Sequence, residues 1–410
     1  MKRIAPILLS ISMLAESAAL STTNTGTRLG QTLVELRQKY NIVGLSVAGL
    51  HRGRLVWQTN LGFANLERQE PVTDRTKFRI ASVSKLITAV ALMQLWEAGR
   101  FQLDDSISDY LGFPIANPHH PDKAITFRHL LTHTAGFADG QAYDDFLAQA
   151  SNEISLRELL CPGGRFYRDG AVYAAHAPGG NYCYSNLGFA LAGTLVEKIS
   201  GDRFDLYCAS HLFKPLGMNA SFNPATLPAP IEIATLYRFT DNKWIPQFDN
   251  YQGKVPTNRL GVSYGIGRNA LPCAPQGGLR ANVGDLARFA EVFARRGQNE
   301  SDGVLKSATI ALMLGRDEQG GTSQATLAFQ RHTNLVKGET WIGHTGSAYG
   351  LYSLLFFQED GPHGVILLTN GSRPGEEHDG FSPMEREIVH AVHAGLTARE
   401  KESDLGPVEP

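Results

Sequence analysis

In the stretch FRIASVSKLITA, Phe78 to Ala89, Ser82 stands three residues before Lys85. That spacing is just under one helical turn, so the two side chains share a face and can meet. Ser84 is the immediate neighbour of Lys85 and points elsewhere, which makes Ser82 the candidate nucleophile. A serine hydroxyl attacks a carbonyl only once a nearby base removes its proton. A free lysine, with a pKa of ~10.4, is protonated and cannot be that base. A helix N-terminus and burial both disfavour the charge and would release the amine for the task. Taken alone, S-x-x-K describes a capped helix start with a solvated lysine equally well.

Two further groups change that balance. Tyr184-Ser185-Asn186 precedes an apolar helix over Leu187 to Ile199, and His344-Thr345-Gly346 closes a predicted strand. In the order S-x-x-K, Y-x-N, H-T-G the chain resembles the serine β-lactamase and penicillin-binding-protein superfamily, for which the related set is S-x-x-K, S-D-N and K-T-G. Tyr in place of the first Ser and His in place of the Lys resemble its class C-like branch. That branch holds D-aminopeptidases, D,D-carboxypeptidases, esterases and amide hydrolases beside β-lactamases. ITFRHLLTHTAGF, WEAGRFQLDDSISDYL, HLFKPLGMNASF, PQGGLRANVGDLARFAEVF and GVILLTNGS look like recurring segments of the same branch.

The resemblance implies a serine hydrolase working through an acyl-enzyme on amide or ester bonds of a small-molecule or peptide substrate. Ser82 would be the nucleophile, with Lys85 and Tyr184 sharing its proton. Tyr184 would act as phenolate or relay, its pKa lowered by neighbouring positive charge. Backbone N–H groups of Ser82 and Ser347 would form the oxyanion hole. Asn186, His344, Thr345 and Gly346 would contact the substrate, His344 by bonding Tyr184 or a substrate carboxylate. A mostly neutral His holds a carboxylate less well than lysine, so peptidase or esterase activity is expected ahead of efficient β-lactamase activity. Two other readings remain: an acyltransferase using the same acyl-enzyme, and a non-catalytic peptidoglycan-binding or self-assembling protein. No cofactor and no metal is implied.

The elements that must position these residues follow from periodicity. Arg28–Lys39 reads as a helix, and Leu45–Leu50 with Leu55–Gly62 as a hairpin turning at His51-Arg52-Gly53. After Ala81, the residues Leu86, Val90, Met93 and Trp96–Ala98 fall at helical spacing, and Gly99 closes the helix. Strand signals return at Thr340–His344, Leu351–Gln358 and Gly364–Thr369. Ser382-Pro383-Met384-Glu385 starts a last helix with a capping box. Strand groups at both ends predict one antiparallel sheet built from both termini and flanked by helices, an α/β (α+β), β-lactamase-like fold with a helix-rich inserted domain. The expected division is an export signal at 1–19, a discontinuous sheet domain at 28–83 and 261–398, an insertion at 84–260 and a tail at 399–410.

The chain has 410 residues, 42% hydrophobic and 19% charged, with a net charge of −2 and no basic cluster. Nucleic acid is therefore not an expected partner. Lys2 and Arg3 precede an apolar run from Ile4 to Leu14, and small residues follow at Ser17 and Ala19. This is the layout of an export signal cleaved after Ala19, implying a secreted or periplasmic protein with no integral membrane segment. Cys161, Cys183, Cys208 and Cys273 allow up to two disulfides or none. Gly261 to Gly265 spells G-x-S-x-G around Ser263 but lacks a helix after it, and His129 and His133 lack the glutamate and third ligand of a zinc site.

Overall fold

The computed structural model describes residues 27–149, 153–227, 232–256, 260, 264–294, 304–315 and 326–404; the expected export signal and Ser263 lie outside them. Thr27 caps helix α1 (Arg28–Lys39), its hydroxyl accepting the Gly30 N–H at 3.1 Å. The hairpin of β1 (Gly44–His51) and β2 (Arg54–Asn65) follows, then the short strands β3 (Glu70–Pro71) and β4 (Phe78–Arg79). Helices α2 (Ser84–Glu97), α3 (Phe127–Leu131) and α4 (Asn186–Ser200) dominate the middle of the chain. A hairpin of β5 (Leu236–Thr240) and β6 (Lys243–Phe248), then β7 (Arg280–Ala281), lead to α5 (Val283–Ala294). Strands β8 (Gln330–His332), β9 (Trp341–Ala348), β10 (Leu351–Gln358) and β11 (His363–Thr369) precede the last helix, α6 (Pro383–Asp404).

Seven strands form one antiparallel sheet in the order β3-β2-β1-β11-β10-β9-β8. The first and last long strands, β1 and β11, are direct neighbours at its centre. On one face α1 and α6 bring Leu33, Leu36, Val389 and Val392 onto Val47, Leu354, Phe356 and Leu367. On the other, Leu286, Phe289 and Phe293 of α5 pack with Ala48, Leu355 and Ile366, and this core continues into α2 and α4. Burial on both faces explains why β11 is apolar without alternation, since every residue of it is buried. Helix α2 is buried from Ser84 to Met93 and α4 from Leu187 to Glu197, so both are internal rods rather than amphipathic covers.

Two features differ from the sequence reading. The β5–β6 hairpin carries strand structure into the middle of the chain, turning on Asp241 and Asn242 with φ of 51° and 59°. Two consecutive left-handed residues are the type I′ geometry that favours Asn and Asp. Helix α6 runs through Asp404, so 399–404 is helix rather than tail. Arg399 helps to hold it, donating from Nη1 to the Val56 carbonyl at 3.3 Å. All four cysteines are free thiols, three of them buried. No helix among the described residues is long and apolar enough to cross a membrane.

Candidate active site

Pairing of β4 with β7 fixes the chain just ahead of Ser82, and the Ile80 N–H donates to the Leu279 carbonyl at 3.0 Å. Ala81 then adopts φ of 42°, a left-handed conformation that costs a non-glycine residue roughly 1–3 kcal/mol. It opens a short 3-10 turn, Ala81–Val83, that feeds α2 and presents Ser82 half-exposed among buried neighbours. Ser84 Oγ accepts the Leu279 N–H at 3.2 Å, away from Lys85. The two serines of the motif are thus separated by the helical twist, one toward the groove and one into the core.

Lys85 is completely buried. Its Nζ lies 3.1 Å from Ser82 Oγ, 2.7 Å from Asn186 Oδ1 and 2.8 Å from the Gln276 carbonyl. The rings of Tyr184 and Phe189 flank it, with centroids 4.8 and 5.7 Å away. Burial pulls the amine down from 10.5 to about 7, opposed by the charge of Asp139. A neutral amine has two N–H donors and one lone pair, and both oxygens of Asn186 and Gln276 can only accept. The two donors go to them, and the lone pair is left for the Ser82 hydroxyl.

Asn186 and Tyr184 owe their places to the start of α4. Ser185 is its N-cap, with Oγ accepting the Gly188 N–H at 3.1 Å. Asp139 accepts from Ser185 Oγ at 2.9 Å, Asn186 N–H at 2.7 Å and Leu187 N–H at 3.2 Å, closing the helix end with a carboxylate. Tyr184 stacks on His133 with ring centroids 4.5 Å apart. Burial raises its pKa, opposed by its interaction with Ser82, so the lowered pKa expected from neighbouring charge is corrected: desolvation wins and the phenol stays protonated. Asp139, His133 and the Gln276 carbonyl are members of this constellation that the motif reading missed.

Strand β9 forms the opposite wall. His344 is fully buried, its Nδ1 bonds the Thr345 carbonyl at 2.5 Å, and its ring centroid is 6.2 Å from that of Tyr184. Burial first, and then the charge of Lys85, lower its pKa to about 3, so the imidazole is neutral. A Cβ on Gly346 would lie 2.7 Å from the Ile80 carbonyl and 2.9 Å from the Ser82 nitrogen, so only glycine lets β9 approach the nucleophile this closely. The Thr345 N–H reaches Gln330 Oε1 at 3.3 Å, on the side of β9 away from β10. Strand alternation turns the Ser347 N–H to the same side. β8 pairs only as far as Gly343, so this edge is open at Ser347. Ser347 also lines a cavity of about 1060 Å³ with Tyr40 at the end of α1, Arg238, Phe239, Tyr349, Tyr352 and Arg373; Ser82, Lys85, Tyr184 and His344 do not line it.

The β-lactamase family profile matches residues 29–383. The chain belongs to the β-lactamase family. The human mitochondrial serine β-lactamase-like protein LACTB is 24% identical over 392 residues, covering 77% of this chain and 68% of that protein. An octameric penicillin-binding protein homologue from Pyrococcus abyssi shares the fold at a TM-score of 0.68 and 24% identity, over 91% of this chain and 78% of that one. D-amino acid amidase from Ochrobactrum anthropi SV3, solved with D-phenylalanine, superposes at 0.64 and 20% identity over 91% of this chain and all 100% of its own.

In this β-lactamase-family chain Glu197, His129 and His133 each make structural hydrogen bonds. Glu197 is buried and accepts from the Phe204 N–H, the Gly267 N–H and the Tyr264 hydroxyl. His129 completes a capping box with Thr126, and His133 Nδ1 accepts the Ser185 N–H at 3.1 Å. The two histidines of H-x-x-x-H therefore serve separate turns.

Proposed function

We propose that this protein is a serine hydrolase that cleaves amide or ester bonds through an acyl-enzyme on Ser82. The observation that carries the reading is Lys85: buried, flanked by two acceptor-only partners, and left with one lone pair facing Ser82 Oγ. Ser82 Oγ forms a bond to the substrate carbonyl while its proton passes to Lys85 Nζ. The N–H groups of Ser82 and Ser347 receive the oxyanion. The tetrahedral intermediate collapses by expelling an amine or alcohol, which takes a proton relayed by Lys85 through the Tyr184 hydroxyl. Water then enters by the reverse steps and frees the acid.

Neutral His344 offers no fixed cation for a lactam carboxylate, which favours peptidase or esterase chemistry over efficient β-lactam turnover. The likeness to a D-amino acid amidase supports the same substrate class.

Treatment with a tagged fluorophosphonate, read by intact mass, tests the proposal. Wild type and Ser84→Ala should gain one adduct and Ser82→Ala none. An adduct of equal yield on Ser82→Ala would overturn the assignment. Release of only free acid when an alcohol or amine is added separates hydrolysis from acyl transfer. The N-terminal layout supports export, so the mature chain should begin near Leu20; a secreted product beginning at Met1 would contradict this.

A further inference from the structure

Three strand and helix ends meet at the edge of the molecule far from Ser82. The β1–β11 register sets His51 opposite His363, and the last turns of α6 bring His393 and Glu400 over them. Glu400 Oε1 is 3.1 Å from His51 Nδ1, and Glu400 Oε2 is 3.2 Å from His363 Nε2. The ligand atoms of these three residues all lie within 4.8 Å of one another. Around a tetrahedral Zn²⁺ with bonds of roughly 2.0–2.2 Å, adjacent ligand atoms stand about 3.4 Å apart. The two N···O separations are already near that edge length.

Hydrogen-bond accounting points to a missing cation. His363 Nδ1 faces His393 Nδ1 at 3.0 Å, and His393 Nε2 faces Glu339 Oε1 at 3.1 Å. Two neutral imidazoles carry two N–H groups, one for the contact between the rings and one for Glu339. With both rings neutral, that leaves His363 Nε2 with a lone pair, buried, 3.2 Å from Glu400 Oε2 and without a hydrogen-bond partner. Two acceptors this close call for a positive charge beside them, a proton on the imidazole or a metal ion, and the convergence of a third ligand atom, His51 Nδ1, on the same carboxylate favours the metal. The His393–Glu339 relay behind His363 is the outer hydrogen-bonded support that fixes a ligating imidazole.

We propose that His51, His363 and Glu400 bind one divalent transition-metal ion, with Zn²⁺ the best match, and that His393 and Glu339 orient the site. Two imidazoles and one carboxylate suit zinc, and half-exposed His51 and Glu400 leave it reachable, with a coordination position for water. The register places Trp341 and Gln358 at this end of the sheet and Ser347 at the other, six residues along β9, or about 20 Å away. The ion therefore ties the end of α6 to the β1–β2 turn and takes no part in acylation.

Full-length protein dialysed against EDTA and titrated with Co²⁺ and then Zn²⁺ tests this by visible absorption and calorimetry. One equivalent of Co²⁺ with tetrahedral absorption, displaced by Zn²⁺, is expected. His51→Ala and Glu400→Gln should each weaken binding by about 100-fold or more, and Glu339→Gln by about tenfold. Zn²⁺ at 100 times its Kd should raise Tm by roughly 3 °C in the wild type and not in the two ligand variants. Both substitutions sit at half-exposed positions, so Tm in EDTA should match the wild type and report that each variant folds. Absence of stoichiometric binding, or equal affinity in wild type and both variants, would overturn the site.

Discussion

Lys85 illustrates how one residue can be costly to the fold and necessary to the chemistry. An ammonium is poorly tolerated where it sits, and burial brings its pKa to about 7. The neutral amine is the base, so the rate of acylation should rise with pH and level off once Lys85 is deprotonated, with a midpoint near 7. The second-order rate of fluorophosphonate labelling, followed from about pH 5.5 to 9, measures this directly. A rate that is flat across that range would exclude Lys85 as the base. Lys85→Arg, which cannot lose its proton, should label at least about 100-fold more slowly. At this scale the sequence was informative where function rests on a side-chain type at a short spacing, as with Ser82 and Lys85 three apart. It was silent on the Gln276 carbonyl, because every residue has one, and on Asp139, which reaches Asn186 across 47 positions. The direction of the Tyr184 shift also lay beyond it, since burial outweighs nearby charge there and burial is a property of the packed molecule.

Element ends were legible when local chemistry alone decides them. Ser382 and Glu385 form the capping box expected from S-P-M-E: Glu385 Oε2 accepts from the Ser382 N–H at 2.8 Å and its hydroxyl at 2.7 Å, and Ser382 Oγ accepts the Glu385 N–H at 3.3 Å. Burial raises the Glu385 carboxyl from 4.5 to about 7 despite these bonds. A folded pKa above the unfolded one means that the native state holds the proton more tightly. Its contribution is therefore fully present below about pH 4.5 and is lost as pH rises through about 7. Glu385→Gln retains an acceptor without the charge, so Tm of the variant relative to wild type should increase from pH 4.5 to 7.5. An unchanged difference over that interval would show that Glu385 is ionised at no cost. The β5–β6 hairpin was missed although its Asp-Asn turn is a local signal, because its strands are short and their apolar residues do not alternate in sequence, Trp244 and Ile245 being neighbours with Pro246 next. The left-handed Ala81 gave no signal at all, since alanine does not ordinarily mark such a turn.

Across the whole molecule, the sheet separates the chemistry from much of what holds it together. The core under α1 and α6 and the core that contains the start of α2 lie on opposite faces, and β1 and β11 join the chain's two ends between them. Damage to one face should therefore register as lost stability and damage at the other as lost function. Ile388 in α6 is completely buried, and Ile388→Ala should destabilise the protein by about 2–5 kcal/mol, lowering Tm by several degrees. Below its unfolding range the variant should label Ser82 at the wild-type rate, because no atom near Lys85 has moved. Gly346→Ala is the converse case. Its new Cβ would press within 2.5 Å of Ser353 Oγ and 2.9 Å of the Ser82 nitrogen, so β9 must retreat from the nucleophile. A displacement near 1 Å at an oxyanion donor costs about 100-fold in rate, and labelling should fall by that order while the protein stays folded at ordinary temperature. Tm by calorimetry and labelling rate on the same two preparations decide the matter. Equal losses of stability and rate in both variants would mean that the two faces act as one unit and that the sheet does not insulate the site.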